Sequence, residues 1–212
     1  GSMVQAGDLV LAVTGPTRGL LTAERTALNL LCHLSGIATA THRWTTELSG
    51  TKAKVRDTRK TLPGLRALQK YAVRCGGGVN HRMSLGDAAL VKDNHVVAAG
   101  GVAEAFARVK AANPSIPVEV EVDTLEQLSS ALEAGADLIL LDNMSSATMR
   151  EAVAIAERHR HATGRRVILE ASGGLSIGAA RDVAETGVDY LSVGGLTHSV
   201  TVLDIGLDLE EV

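Results

Sequence analysis

The sequence predicts an α/β protein built as a (β/α) TIM-like barrel with about six parallel strands; periodicity alone also allows a doubly wound sheet, and three observations together favour the barrel. After Gly50, short β-rich runs alternate with Ala-, Leu- and Glu-rich helical stretches, and consecutive strands separated by helices pair in parallel through right-handed crossovers. Of 212 residues, 45% are hydrophobic but only 2% are aromatic, so the core is built from Val, Leu, Ile and Ala, which suits helices packed on parallel strands. Polar residues or glycines stand at the C-terminal end of nearly every strand. A doubly wound sheet concentrates its chemistry at one switch point, whereas a barrel gathers all strand ends on one rim.

The elements follow in order. Residues 8–13 (DLVLAV) read as a short strand stopped by Gly15 and Pro16. Over 20–35, Ala27, Leu30, Leu31 and Leu34 recur at helical spacing, with Thr22 as cap and Gly36 as stop. A second helix spans 39–48. Beyond Gly50, strands are expected at 54–57, 88–92, 118–122, 138–141, 167–170 and 190–193. Helices are expected between them at 63–71, 102–112, 125–134, 146–158 and 177–185. No internal repeat suggests a solenoid.

Composition excludes several classes. A net charge of −3 gives no sequence-wide case for nucleic-acid binding. Cys32 and Cys75 do not make a disulfide scaffold, so the chain reads as cytoplasmic with free thiols. No apolar run approaches the roughly 18 residues of a membrane span, and no signal peptide is evident. Gly1-Ser2-Met3 reads as an expression scar.

The chemistry collects at strand ends. Arg59-Lys60 follows a strand and precedes a helix start, where an anion is favoured. His81-Arg82 follows three consecutive glycines, which permit close approach. Lys92 ends an apolar strand, a costly place unless it is paired or faces a ligand. Together they suggest a pocket for a small polyanion with several carboxylates or phosphates. Lys52, Arg66 and Lys70, by contrast, read as a solvated face. Glu121 and Asp142 end neighbouring strands, with Glu119 two positions before Glu121, and such a carboxylate pair suits Mg²⁺ arriving with a phosphorylated substrate; the alternative is an ion network with Lys92 and Arg59. Ser172-Gly173-Gly174 and Val193-Gly194-Gly195 end the last two strands, the usual phosphate site of such barrels. His198 stands beside the second glycine loop. The other scattered histidines at 33, 42, 95, 159 and 161 read as capping, core or surface groups.

Seven stretches in order, at 56–66 (RDTRKTLPGLR), 76–82 (GGGVNHR), 90–95 (LVKDNH), 119–123 (EVEVD), 140–143 (LLDN), 170–174 (EASGG) and 187–199 (GVDYLSVGGLTHS), resemble the quinolinate phosphoribosyltransferases. The resemblance runs from about Val10 to Asp208. It implies an open α/β barrel over 50–212, preceded at 1–49 by the remnant of an N-terminal α/β domain, most of which is absent. It implies transfer of a phosphoribosyl group from phosphoribosyl pyrophosphate to quinolinate, giving nicotinate mononucleotide, CO₂ and pyrophosphate in NAD biosynthesis. Carried over by motif, Arg59, His81, Arg82 and Lys92 would hold quinolinate's carboxylates, with Thr58 alongside. Lys60 would meet phosphoribosyl pyrophosphate. Glu121 and Asp142 would address the ribose hydroxyls and Mg²⁺, and residues 172–174 and 193–195 would cradle the 5-phosphate. Arg25 would reach the neighbouring subunit's site in a homodimer with shared active sites. Two rivals stand beside this reading: a Schiff-base aldolase using Lys92, and a truncated, catalytically weak phospho-ligand-binding barrel.

Overall fold

The computed structural model describes residues 1–210. Short β-branched and leucine runs form strands β1 (Lys54–Arg56), β2 (Ala89–Val91), β3 (Val118–Val122), β4 (Leu138–Asp142), β5 (Ile168–Ser172) and β6 (Tyr190–Ser192). They make one sheet, parallel at every step, in the order β1-β6-β5-β4-β3-β2. The sheet curves without closing, since β1 and β2 remain its two edges. The segment after the glycine triplet enters the gap, and Val79 bridges in parallel to Arg56.

Helices α1 (Thr17–Glu47), α2 (Arg66–Cys75), α3 (Asp93–Ala99), α4 (Val102–Ala112), α5 (Leu125–Glu133), α6 (Ser146–Thr163), α7 (Ala180–Ala184) and α8 (Gly195–His198) complete the chain. A 3₁₀ turn, Ile177–Ala179, leads into α7. Local chemistry fixes several starts. Thr124 accepts the Gln127 N–H at the head of α5, and Ser145 accepts the Thr148 N–H at the head of α6.

The core lies between the outer face of the sheet and the helices. Val55, Val120, Ile139, Leu141, Ala171 and Leu191 are fully buried there against residues such as Leu128, Met149 and Val183. The alternation of the strands turns a different set inward: Glu119, Glu170, Tyr190, Ser192 and Arg56. The interior is therefore a mixed layer in which these polar and charged groups surround Leu140, rather than the packed Val, Ile and Leu layers common in closed barrels.

The expectations for 50–212 agree with the strands to within about two residues at each end. Two short helices, α3 and α8, were not expected. The N-terminal expectations need correction. Residues 8–13 form no strand: they lie beside no partner strand, and Leu9, Leu11 and Val13 are 84%, 67% and 58% exposed. Gly36 does not stop a helix, and the two expected helices are one, α1. Gly36 sits inside it because the returning C-terminal segment crosses there; a Cβ at this position would lie 2.3 Å from the Thr201 carbonyl oxygen. Leu203 N–H then donates to the Cys32 carbonyl. Thr22 is not a cap either. Its hydroxyl donates back to the Arg18 carbonyl inside the helix, which starts after Pro16. Of the four apolar positions expected on one face, Leu34 packs on the core, whereas Ala27, Leu30 and Leu31 are exposed.

Candidate active site

The C-terminal strand ends meet on one rim. After β1, the Lys60 N–H donates to the Thr58 hydroxyl, a tight turn that sends Arg59 and Lys60 toward the rim. Arg59 Nε is buried without a hydrogen-bond partner among the described residues. Arg82 approaches from the gap between β1 and β2, and its guanidinium donates to the Ala88 carbonyl at 2.7 Å. Burial pushes the Arg82 pKa down, and the positive charge of Arg59 pushes it further in the same direction. The Arg59 charge is felt at Arg82, and two cations on one rim favour an anion beside them.

Lys92 stands at the head of α3, and its ammonium lies 3.6 Å from Glu121. Burial raises the Glu121 carboxyl above its ordinary range; the Lys92 charge opposes this, and nearby Asp142 adds to it. Asp142 ends β4 and lies in register with Ser172 at the end of β5. Asn143 follows at φ 53, a left-handed backbone that asparagine tolerates, and donates to Asp142. Gly173 packs on Asn143, while the stem of Lys60 passes 3.1 Å from where a Cβ of Gly194 would be. The β1 and β6 ends are further tied by the Thr197 hydroxyl, which donates to the Lys60 carbonyl. Arg59, Lys60, Arg82, Lys92, Glu121, Asp142 and the two glycine loops therefore share one rim.

His81 is placed differently. Its Nδ1 accepts the Arg82 N–H at 2.7 Å, and its Nε2 lies 3.0 Å from Glu119 and 3.5 Å from Glu170. Both ring nitrogens are engaged with protein, and His81 is tied to the rim through the Arg82 N–H. Arg25 stands away from the strand ends on the N-terminal half of α1, 74% exposed at its side chain, with Glu24 at 3.8 Å. His198 is exposed and bonded to Ser199.

Beneath the rim lies a network that the sequence reading missed. Lys70, expected on a solvated face, is 1% exposed and ion-paired to Asp57, which is 0% exposed. The helical period of α2 carries Lys70 inward beside Gln69, and Asp57 is the buried partner that makes this tolerable. Burial lowers the Lys70 pKa, with the Asp57 hydrogen bond opposing. Glu170 bonds Arg56 at 2.5 Å and accepts from Ser192, and Arg56 stacks over Tyr190 at 4.5 Å. Burial raises the Glu170 pKa, and the neighbouring Glu119 raises it further. For Glu119, burial is outweighed by the hydrogen bond and charge of His81 together with Arg56, and its pKa falls. The atoms of His81, Glu119 and Glu170 are close enough to hold a metal ion. Arg56 already supplies the positive charge there, which disfavours a cation. Glu121 and Asp142 fit a divalent ion better, as two neighbouring rim carboxylates, the second of which raises the cost of ionising the first.

A cleft of about 570 Å³ opens at the opposite end of β3, β4 and β5, among Lys110, Pro117, Asp137, Arg165 and Arg166, far along the strands from this chemistry. Among the described residues, no helix is long and apolar enough to cross a membrane.

Comparison with known proteins agrees with the geometry. Residues 37–208 match the C-terminal domain of quinolinate phosphoribosyl transferase, and residues 1–35 match its N-terminal domain. The chain is 60% identical to the nicotinate-nucleotide pyrophosphorylase [carboxylating] of Mycobacterium leprae, covering 99% of this chain and 72% of that protein. It is 44% identical to a probable enzyme of the same name from Bacillus subtilis, over 99% of this chain and 70% of the relative. The crystal structure of NadC from Streptococcus pyogenes superposes with a TM-score of 0.88 at 44% identity, covering 95% of this chain and 68% of that one. The barrel, its rim and these matches agree: the chain belongs to the quinolinate phosphoribosyl transferase family.

Proposed function

We propose that the chain transfers the phosphoribosyl group of phosphoribosyl pyrophosphate to quinolinate, with loss of pyrophosphate and CO₂, to give nicotinate mononucleotide in NAD biosynthesis. The observation that carries this is the rim arginine Arg59, whose Nε is buried and unpartnered among the described residues, on the same rim as Arg82. A planar dicarboxylate satisfies both arginines and relieves their repulsion. Lys92 clamps the same acceptor electrostatically; its ammonium is paired with Glu121, so a Schiff-base role has no support. Thr58 shapes the Arg59 turn.

Ser172, Gly173 and Gly174, with Val193, Gly194 and Gly195, present backbone N–H groups suited to the 5-phosphate. Lys60, lying along Gly194, neutralises the pyrophosphate as it leaves. Glu121 and Asp142 address the ribose hydroxyls and stabilise positive character on the ribose while the pyridine nitrogen attacks. The same two residues fit Mg²⁺, which when bound offsets charge on the pyrophosphate oxygens. Once the ribose is attached, the ring nitrogen is cationic, and its charge stabilises the electron pair left on the adjacent ring carbon as the C–C bond to the carboxylate breaks and CO₂ departs; a proton from solvent then takes that position. No protein nucleophile is required.

The active form is a homodimer with shared sites, acting in the cytoplasm. Exposed Leu21, Leu30 and Leu31 on α1 support an apolar interface around Arg25, which is then presented to the partner's rim. The deciding experiment incubates the protein with quinolinate, phosphoribosyl pyrophosphate and Mg²⁺ and follows nicotinate mononucleotide and CO₂. Product with quinolinate but not with nicotinate supports the reading. Absence of product from a folded protein overturns it.

A further inference from the structure

The chain from Val79 to Arg82 belongs to no strand, yet it carries one of the two guanidinium groups of the rim. Its backbone is tied down from below. Asp57 N–H donates to the Val79 carbonyl, and Val79 N–H donates to Val55 in β1. Asp57 Oδ1 accepts the His81 N–H at 2.8 Å, and Asp57 Oδ2 accepts from the Asn80 side chain at 2.5 Å. Lys70 Nζ donates both to Asp57 and, at 2.9 Å, to the His81 carbonyl. The Asn80 amide also donates to the Lys70 carbonyl at 2.8 Å. Asp57 stands two residues before Arg59, and His81 stands one before Arg82.

We propose that the buried Lys70–Asp57 pair is a positioning device that locks the Arg82 segment to the Arg59 turn and so sets the spacing of the two guanidinium groups that grip the acceptor. The inference rests on the acceptor assignment above and adds to it residues that do not touch substrate. Two like charges push apart unless the backbone holds them. β2 and β1 are not paired, and the backbone bridge across the gap, Val79 to Arg56, stops three residues before Arg82. A buried ion pair contributes little net stability compared with an apolar replacement, so its value here is geometric. Each group of the pair spends its hydrogen bonds on the segment it positions.

The test compares wild type with Lys70→Met/Asp57→Asn, a double variant that leaves no unpaired buried charge and keeps an acceptor for the His81 N–H. Steady-state kinetics give KM for each substrate, and calorimetry gives Tm. The expected result is a folded protein whose quinolinate KM rises tenfold or more while its phosphoribosyl pyrophosphate KM stays within twofold. A purely structural pair would lower Tm and leave both KM values of the folded fraction unchanged; that result overturns the proposal, as does an equal rise in both. Should the double variant fail to fold, Asn80→Ala, which removes two hydrogen bonds of the network and no charge, is held to the same split. Turnover by wild type with no split overturns this inference alone. No turnover by wild type overturns the acceptor assignment and this inference with it.

Discussion

Replacing Gly173 by alanine tests how the β5 and β4 ends are fitted together. Gly173 sits at φ +99, and a Cβ there would lie 2.2 Å from Asn143 Oδ1 and 2.7 Å from the Asn143 backbone nitrogen. That nitrogen is itself bonded to the Ser172 carbonyl at 3.0 Å, so it has little room to retreat. Two costs add: backbone strain of about 1–2 kcal/mol for an L-residue in this region, and overpacking of about 1–3 kcal/mol. Gly173→Ala should therefore destabilise by about 2–5 kcal/mol. Gly174 is the internal control, at φ +56 with nothing within 4 Å of a Cβ. Gly174→Ala pays strain alone, about 1–2 kcal/mol. At about 2–4 °C per kcal/mol for a chain of this size, Tm should fall by about 4–20 °C for Gly173→Ala and by about 2–8 °C for Gly174→Ala. Differential scanning calorimetry reads both. Because Asn143 adjoins Asp142, Gly173→Ala should also raise the phosphoribosyl pyrophosphate KM more than Gly174→Ala does. Equal Tm losses in the two variants, or none at Gly173, would refute the argument from crowding.

Arg82→Ala should weaken quinolinate binding by about 2–4 kcal/mol, measured by calorimetry, and phosphoribosyl pyrophosphate binding far less; equal losses would remove Arg82 from the acceptor site. Mixing Arg25→Ala chains with Lys92→Ala chains after dissociation should restore about a quarter of wild-type activity, because half the dimers are mixed and each has one intact site. No recovery, with mixed dimers shown by native mass spectrometry, would place Arg25 outside the shared site. Glu121 titrates above its ordinary value of 4.5, so the native state holds more protons than the unfolded state and stability falls as pH rises from about 4.5 through that raised value. In Glu121→Gln that slope should become shallower in chemical unfolding followed across pH, the raised Glu170 supplying what remains. Carboxyl NMR should show the Glu121 pKa falling in Asp142→Asn and rising in Lys92→Met; an unmoved Glu121 would mean that neither charge is its neighbour.

The sequence by itself determined the barrel and the composition of its rim. Strict alternation in VEVEV at 118–122, and leucine runs such as LILL ended by Asp142, give a strand its period and its chemical end together, so rim residues are legible wherever a strand stops. Glycines after β5 and β6 were legible for the same reason. What tertiary structure decided is where neighbours from distant segments remove the local options. Gly36 carries the local signal of a helix stop, yet α1 continues through it because the segment at Thr201 needs the space a side chain would fill. Residues 8–13 have strand propensity but no partner strand, and a strand exists only by pairing. Lys70 looks like one more surface cation until Asp57, brought from β1, makes its burial possible. His81 looked like a ligand-binding group from its place beside Arg82. The structure sets its ring against Glu119, Glu170 and the Arg82 N–H, which become neighbours only when the sheet curves around them. Local pattern fixes which residues end the strands, and the curvature of the sheet fixes which of their charges meet.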